Sequence, residues 1–469
     1  MQKLISKYGL AAHLGIITAA PLVLFPLCPA SSIGVAMLYL ALVGAIWVIM
    51  EPSRIGREMP HNARERVIGT IVRDPLFYAL LLLVGFTAVR AINQGVGMSY
   101  DLELQKWAFR DAPSPFLPGS VKGVGFLPFC VSVAMVPVTM GVRHALGKAA
   151  RCAFAVTVAI VSGIGGIAFA LMALNGNREL LELTRCEYAN PFFAGPAFGI
   201  ALLLGVSGMF AANEKHWLRT EFLLVPGLVG TAAGLVMFAG TFDILVFAGA
   251  LLIMVVAGFA LQYKAFEGAG SFRAAISVIT VIIVVGFMVV LSPEGGGVSR
   301  RLQEVQLLQL FPEPFFKVRA VLSGIALKVF TGNPWLGSGL GSFPVDIRFL
   351  ASAAEHKIIF HGQTAALQGW WNLVAERGVI GAVLLALVWG MVCWTYISRL
   401  VGAFAAENSR FELRAINLIF PVVSLVLAAI TFFECSLYRC EVMLLAVAAL
   451  ALSASSAPSR KKPAVSKES

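Results

Sequence analysis

The sequence predicts an all-α polytopic membrane protein of about twelve transmembrane helices, with one large outward loop between spans nine and ten. Three observations carry that prediction. Of 469 residues, 58% are hydrophobic and only 13% charged, where a soluble chain of this length carries about 25% charge; the mean hydropathy is +0.84. A helix needs roughly 20 apolar residues to cross about 30 Å of hydrocarbon. Such runs fall at about 9–28, 31–50, 75–93, 123–142, 152–174, 191–212, 221–240, 241–262, 274–292, 379–397, 416–433 and 441–455. The runs are continuously apolar rather than alternating, which excludes a closed β-barrel, the other architecture that satisfies its backbone in lipid.

The formal charge of +11 is a topology signal. With the N-terminus placed in the cytoplasm, 21 of the 36 Lys and Arg fall on inward segments, and eight of the remaining 15 lie in residues 293–378. Long translocated loops are weakly subject to the positive-inside rule; without that one, the short loops divide 21 inside to 7 outside. Both termini are therefore expected in the cytoplasm. No basic patch with interleaved aromatics argues for nucleic acid. The first apolar run lacks a small-residue cleavage site and reads as a span, not a removed signal.

In chain order, the inward loop 51–74 interleaves five Arg with four acids and reads as a solvated face toward lipid headgroups. The outward loop 94–122 carries Tyr100, Trp107 and Phe109 among charges, then a Pro-rich run, a pattern that suits an interfacial amphipathic segment. Asp101 and Glu103, two apart, would point to different faces of a helix and make a poor catalytic pair. The outward loop 175–190 presents Arg178 and Arg185 before Pro191. Residues 1–455 read as a single transmembrane helical domain, in which 293–378 carry the chemistry. Residues 456–469 read as a disordered basic cytoplasmic tail. Cys435 and Cys440 flank a short outward turn, where pairing and two free thiols are equally compatible with the sequence.

Arginine at an outer membrane surface has a specific use, because its planar fork binds phosphate bidentately and stays charged. Arg90, Arg185 and Arg319 fall at expected outer helix ends, at the depth of a lipid-linked pyrophosphate. The alternative for each is snorkelling toward headgroups. Histidine can accept a proton from an attacking hydroxyl near neutral pH, and His356 and His361 are the outward histidines; the alternative is an ordinary solvated loop histidine. Glu355-His356 with His361 falls short of metal-ligand spacing, and no metal or cofactor is expected. The Gly337-Ser338-Gly339-Leu340-Gly341 run follows Pro334 rather than a buried strand, so its glycines suit close backbone approach better than nucleotide binding.

Three patches resemble the O-antigen ligase and O-antigen polymerase superfamily of bacterial envelope enzymes. They are Arg185 with Asn190-Pro191; Arg319, Ala326-Leu327 and Asn333-Pro334-Trp335-Leu336-Gly337-Ser338-Gly339-Leu340-Gly341-Ser342-Phe343; and Leu373-Val374-Ala375-Glu376-Arg377-Gly378-Val379-Ile380-Gly381, which is similar to an Ala-Glu-x-Gly-x-x-Gly pattern opening a span. The resemblance implies a metal-independent, GT-C-like glycosyltransferase of the bacterial inner membrane. Its donor would be a glycan on undecaprenyl pyrophosphate, and its acceptor a growing glycan or a lipid A core sugar. Chain-length regulators or export proteins are the implied protein partners. Arg185 and Arg319 match the family's pyrophosphate-binding positions, and Arg90 matches by location. The family's His-Asn before the Ala-Glu pattern is replaced by Leu367-Gln368; either His361, followed by Gly362-Gln363, reaches the place of the base through a shifted loop, or this chain uses no histidine base.

A transporter or flippase for lipid-linked glycans is the expectation from another class. Carriers place their sites at the midplane and often show repeats, whereas here the polar chemistry lies at one surface and the halves do not resemble each other. The other GT-C group needs an acid in its first outward loop, which here reads Cys28-Pro29-Ala30-Ser31-Ser32. Between polymerase and ligase, the divergent histidine region favours a polymerase of O-antigen or exopolysaccharide.

Overall fold

The computed structural model describes residues 2–24, 30–51, 67–92, 97–101, 106–110, 126–174, 195–211, 217–238, 246–254, 256, 313–340, 343–358, 369–405, 421–428 and 440–454. In order, these form α1 (Gln2–Leu24), α2 (Ala30–Met50), α3 (Val67–Val72), α4 (Pro75–Ile92), β1 (Gly97–Asp101), β2 (Lys106–Arg110) and α5 (Phe126–Met140), which runs into one π turn at Gly141–Ala145. Then follow α6 (Lys148–Leu174), α7 (Gly195–Ala211), α8 (Trp217–Phe238) and α9 (residues 246–254). The last third holds α10 (Glu313–Gly332), α11 (Phe343–Leu350), α12 (Ala353–Ile358), α13 (Gly369–Ala405), α14 (residues 421–428) and α15 (Cys440–Ala454).

This is a helical, membrane-embedded chain. On α2, Ile33, Met37, Ala41 and Val48 are buried, while Val35, Tyr39, Leu42 and Ile46 form an exposed apolar stripe at helical spacing. A soluble surface does not leave such stripes open to water. Tyr78, Leu82 and Val89 on α4, and Val383, Leu387 and Trp394 on α13, are likewise exposed. Among the described residues, four helices are long and apolar enough to cross a bilayer: Ser32–Met50, Leu127–Ala145, Ala150–Phe169 and Leu373–Ser398. Shorter apolar helices coincide with six further stretches, Tyr8–Leu24, Pro75–Arg90, Gly195–Gly208, Leu224–Leu235, Ala320–Gly332 and Met443–Leu452. The expected span at 274–292 lies outside the described residues.

Two bundles share one core. Helix α6 packs along α1, α7 and α8, and α5 packs along α2, α4 and α15. The α6–α8 contact is nearly backbone on backbone: a Cβ on Gly163 would sit 2.3 Å from the Gly227 carbonyl oxygen, and one on Gly166 would meet Gly230. Small residues at such a seam let helices approach closely where lipid supplies no hydrophobic drive. A second, smaller core is separate. It joins Leu322, Ile325, Ala326 and Val329 of α10 to Phe343 and Ile347 of α11, Ala351, and Ala375 of α13. The α10 residues recur at i, i+3, i+4 and i+7, the stripe of an amphipathic helix.

Two stretches take a form that the sequence left open. The stretch 94–122, expected to face outward, holds an antiparallel hairpin, with Tyr100 opposite Trp107 and Asp101 opposite Lys106, and β1 packs against α11. Its alternating residues carry a period of two, which a helix does not use. The fold is thus helical apart from this hairpin among the described residues. Residues 293–378 are also more than a polar loop, since α10, α11, α12 and the first turns of α13 fill much of their described part.

Candidate functional site

The site is built on a broken helix. Within α13, Gly378 has φ 64° and ψ −169°, a region essentially reserved for glycine. In an unbroken helix Val379 N–H would donate to Ala375 and Ile380 N–H to Glu376. Here Val379 N–H donates to the Pro334 carbonyl (2.8 Å) and Ile380 N–H to that of Trp335 (3.2 Å). The carbonyls thereby released accept from the same loop: Ala375 from Ser338 N–H at 2.9 Å, and Glu376 from Gly339 N–H at 3.1 Å. Four of the backbone groups orphaned by the break are thus satisfied by the stretch 334–339, as burial requires. The glycines follow from that contact. A Cβ on Gly337 (φ 69°) would lie 2.4 Å from the Glu376 carbonyl carbon, and one on Gly378 would lie 2.4 Å from the Trp335 oxygen.

Charged side chains brace this junction. Arg90, 6% exposed near the end of α4, donates from Nη2 to the Gly337 carbonyl at 2.9 Å. Glu376 is fully buried; its carboxylate interacts electrostatically with Arg90, and its Oε1 accepts the Phe343 N–H at 3.1 Å, at the start of α11. A carboxylate there also meets the positive end of the helix dipole. Farther along, Ser352 Oγ accepts the Glu355 N–H at 3.3 Å and Glu355 Oε2 accepts the Ser352 N–H at 2.7 Å. This reciprocal capping box starts α12, and Lys328 of α10 adds an ion pair to Glu355 at 3.2 Å. The backbone N–H of Ser352, with its hydroxyl and Lys328, holds the Glu355 carboxyl below its usual range.

Of the residues singled out in the sequence, Arg90 meets the Asn333–Phe343 and Leu373–Gly381 stretches directly. Arg319 lies on α10, which packs against both α11 and α13; its side chain lies outside the described residues, as does that of His356 on α12. Arg185 and His361 lie outside them entirely, as do Cys435 and the Cys440 side chain.

A second polar cluster occupies the opposite end of α4. Asp74 caps the helix, its Oδ1 accepting the Leu76 N–H at 3.1 Å, with Pro75 as the first helical residue, a favoured start. Its Oδ2 lies 2.7 Å from His144 Nε2 and 3.1 Å from Arg143 Nε, both in the π turn. Arg143 Nη2 donates to Thr395 Oγ1 on α13 at 3.2 Å. Burial pushes the Asp74 carboxyl up, but the His144 hydrogen bond, the Arg143 charge and the Leu76 N–H outweigh it and hold it below its usual range.

Glu376 stood out in the sequence only as part of the Ala-Glu pattern, and this Asp74–Arg143–His144–Thr395 cluster escaped the sequence reading. Asp74-Pro75 was a legible helix start, but no local pattern connects it to Arg143 or Thr395. No protein-family model matches the chain, and no curated protein matches it.

Proposed function

We propose that this protein transfers a glycan from undecaprenyl pyrophosphate to a sugar hydroxyl at the periplasmic face of the bacterial inner membrane, polymerising O-antigen or exopolysaccharide repeat units. The observation that carries the reading is the junction at Gly378. Two of the three stretches on which the family resemblance rests are joined there by four backbone hydrogen bonds, and Arg90, 247 positions from Gly337, closes onto it. The proposed topology, about twelve spans with both termini in the cytoplasm, has that junction on the outer side.

In the proposed reaction the acceptor hydroxyl attacks the anomeric carbon of the donor. The bond from that carbon to the pyrophosphate oxygen breaks, and undecaprenyl pyrophosphate leaves with the electron pair. His361 takes the hydroxyl proton. Arg185, Arg319 and Arg90 hold the leaving pyrophosphate, the kind of electrostatic stabilisation in which one lost donor costs about 2.7–4 kcal/mol. No cofactor or metal enters the scheme.

Arg319→Ala is expected to abolish polymer at normal protein levels while lipid-linked repeat units accumulate. Normal glycan chains in that variant sink the assignment. Deletion of the gene separates the alternatives. Single repeat units on lipid A core indicate the polymerase, and unattached long chains indicate a ligase. Units stranded on the cytoplasmic leaflet indicate a flippase, the reading from another class.

A further inference from the structure

We propose that Arg377 is a phosphate-binding residue that receives a lipid phosphate at the seam between α4 and α13; in naming the donor's diphosphate as that phosphate, the proposal rests on the function given above. Arg377 is 4% exposed, and its Nε has no hydrogen-bond partner among the described residues. A guanidinium cannot shed its proton to escape burial, and an ionised group taken out of water without compensation is costly. The neighbouring carboxylates have other engagements. Glu376 accepts from Phe343 and faces Arg90, and Asp346, 3% exposed on α11, has a polar interaction of its own. An anion from outside these elements would give that Nε the partner it lacks.

Its position says where that anion arrives. A Cβ on Gly381 would lie 2.4 Å from the Arg377 Cβ and 2.9 Å from the ring of Phe86 on α4, so the Arg377 stem packs into the α4–α13 seam. Phe86 and Arg90 are one helical turn apart on the same face of α4, which brings Arg90 and Arg377 to a common border. The next residue, Gly378, lies against the backbone of Trp335, whose side chain is 67% exposed, so the seam opens within about one residue of the surface. Arg377 retains its buried Nε donor for a bidentate oxyanion, the geometry guanidinium recognises best.

The test uses the full-length protein in phosphatidylcholine nanodiscs, with tryptophan fluorescence and thermal melting as readouts. Undecaprenyl diphosphate is titrated in one arm, and phosphatidylglycerol is raised in the other. In Arg377→Gln, diphosphate binding is expected to weaken about ten-fold or more, with the ligand-free melting temperature unchanged or raised. Arg377→Lys, which keeps the charge and loses the fork, falls between. A loss confined to the phosphatidylglycerol arm supports phosphate binding with a headgroup as the source. Unchanged binding in both arms, with a lowered melting temperature, makes Arg377 a structural residue and overturns the proposal. Failure of the wild-type protein to bind undecaprenyl diphosphate in any form counts instead against the proposed function.

Discussion

The two ends of α4 solve the same problem in opposite ways. Helices α4 and α13 run antiparallel, and each end of the pair needs a tie. At the Arg90 end the tie is mostly main chain: a glycine breaks α13, and a loop takes over the orphaned N–H and C=O groups. About 24 Å away along the helix, at the Asp74 end, the tie is a buried carboxylate held by a histidine and an arginine that reaches Thr395 on α13. Peptide groups carry no net charge and are satisfied one for one, so the first tie is inexpensive to bury and exacting in shape. The second gathers ions, whose desolvation is large and whose attraction compensates only while every partner is present. Geometry therefore makes the first fragile, and charge the second.

Gly378→Ala should have the largest effect. The backbone region alone costs about 1–3 kcal/mol for a residue with a side chain. The new Cβ would also lie 2.4 Å from the Trp335 oxygen, so the loop must withdraw, and each of the four hydrogen bonds it makes is worth about 1 kcal/mol net. The sum exceeds about 5 kcal/mol. The expected outcome is a sharp fall in folded protein in detergent, or a protein without the proposed polymerising activity where it persists. A variant with wild-type melting and activity would show that the break does not hold the junction.

This contrast also explains what could be read in the sequence. The four helices long and apolar enough to cross a bilayer follow from composition alone, and the expected start of span ten at residue 379 coincides with the helix break at Gly378. The glycine-rich stretch 337–341 was legible as close backbone approach, and the structure gives Gly337 its opposing surface, the Glu376 peptide. Glu376 was visible only as part of a pattern. Its work depends on Phe343 and Arg90, which lie far away in sequence and which no periodicity connects. The Asp74 cluster was illegible for the same reason: four polar side chains from three separate stretches look, one at a time, like ordinary interfacial residues. The hairpin at 97–110 was missed because aromatics among charges suit an interfacial helix as well as a strand pair.

Asp74→Ala probes the other side of the comparison. Removing one partner of a buried pair costs about 3–5 kcal/mol, since the remaining charge is left uncompensated. A double variant that also replaces Arg143 with Leu should recover most of that loss, whereas no such rescue exists for Gly378→Ala. Thermal melts of the three proteins decide the point, and a double variant no more stable than Asp74→Ala would refute the ion-pair account. The pH dependence follows from the sign of the shift. The Asp74 carboxyl titrates lower in the folded protein than its ordinary 3.8, so its stabilisation is fully present above that value and disappears as pH falls through the folded one. The gap between wild type and Asp74→Asn should be constant near neutrality and close in strong acid.

The smallest effect belongs to the capping box at α12, which borrows from both strategies. Ser352 and Glu355 exchange hydrogen bonds with each other's backbone N–H groups, while Lys328 adds an ion pair in which its own side chain is 50% exposed. A lost N-cap costs about 1 kcal/mol, whereas an exposed ion pair contributes about 0–1 kcal/mol and is screened by salt. Ser352→Ala should therefore speed amide exchange across Ala353–Ile358 about five-fold, and Lys328→Ala should change it less, with a difference that vanishes at high salt. The reverse order would mean that α12 is held by charge rather than by its cap, and that the segment leading toward His361 belongs with the ionic end of the molecule instead of the backbone-built one.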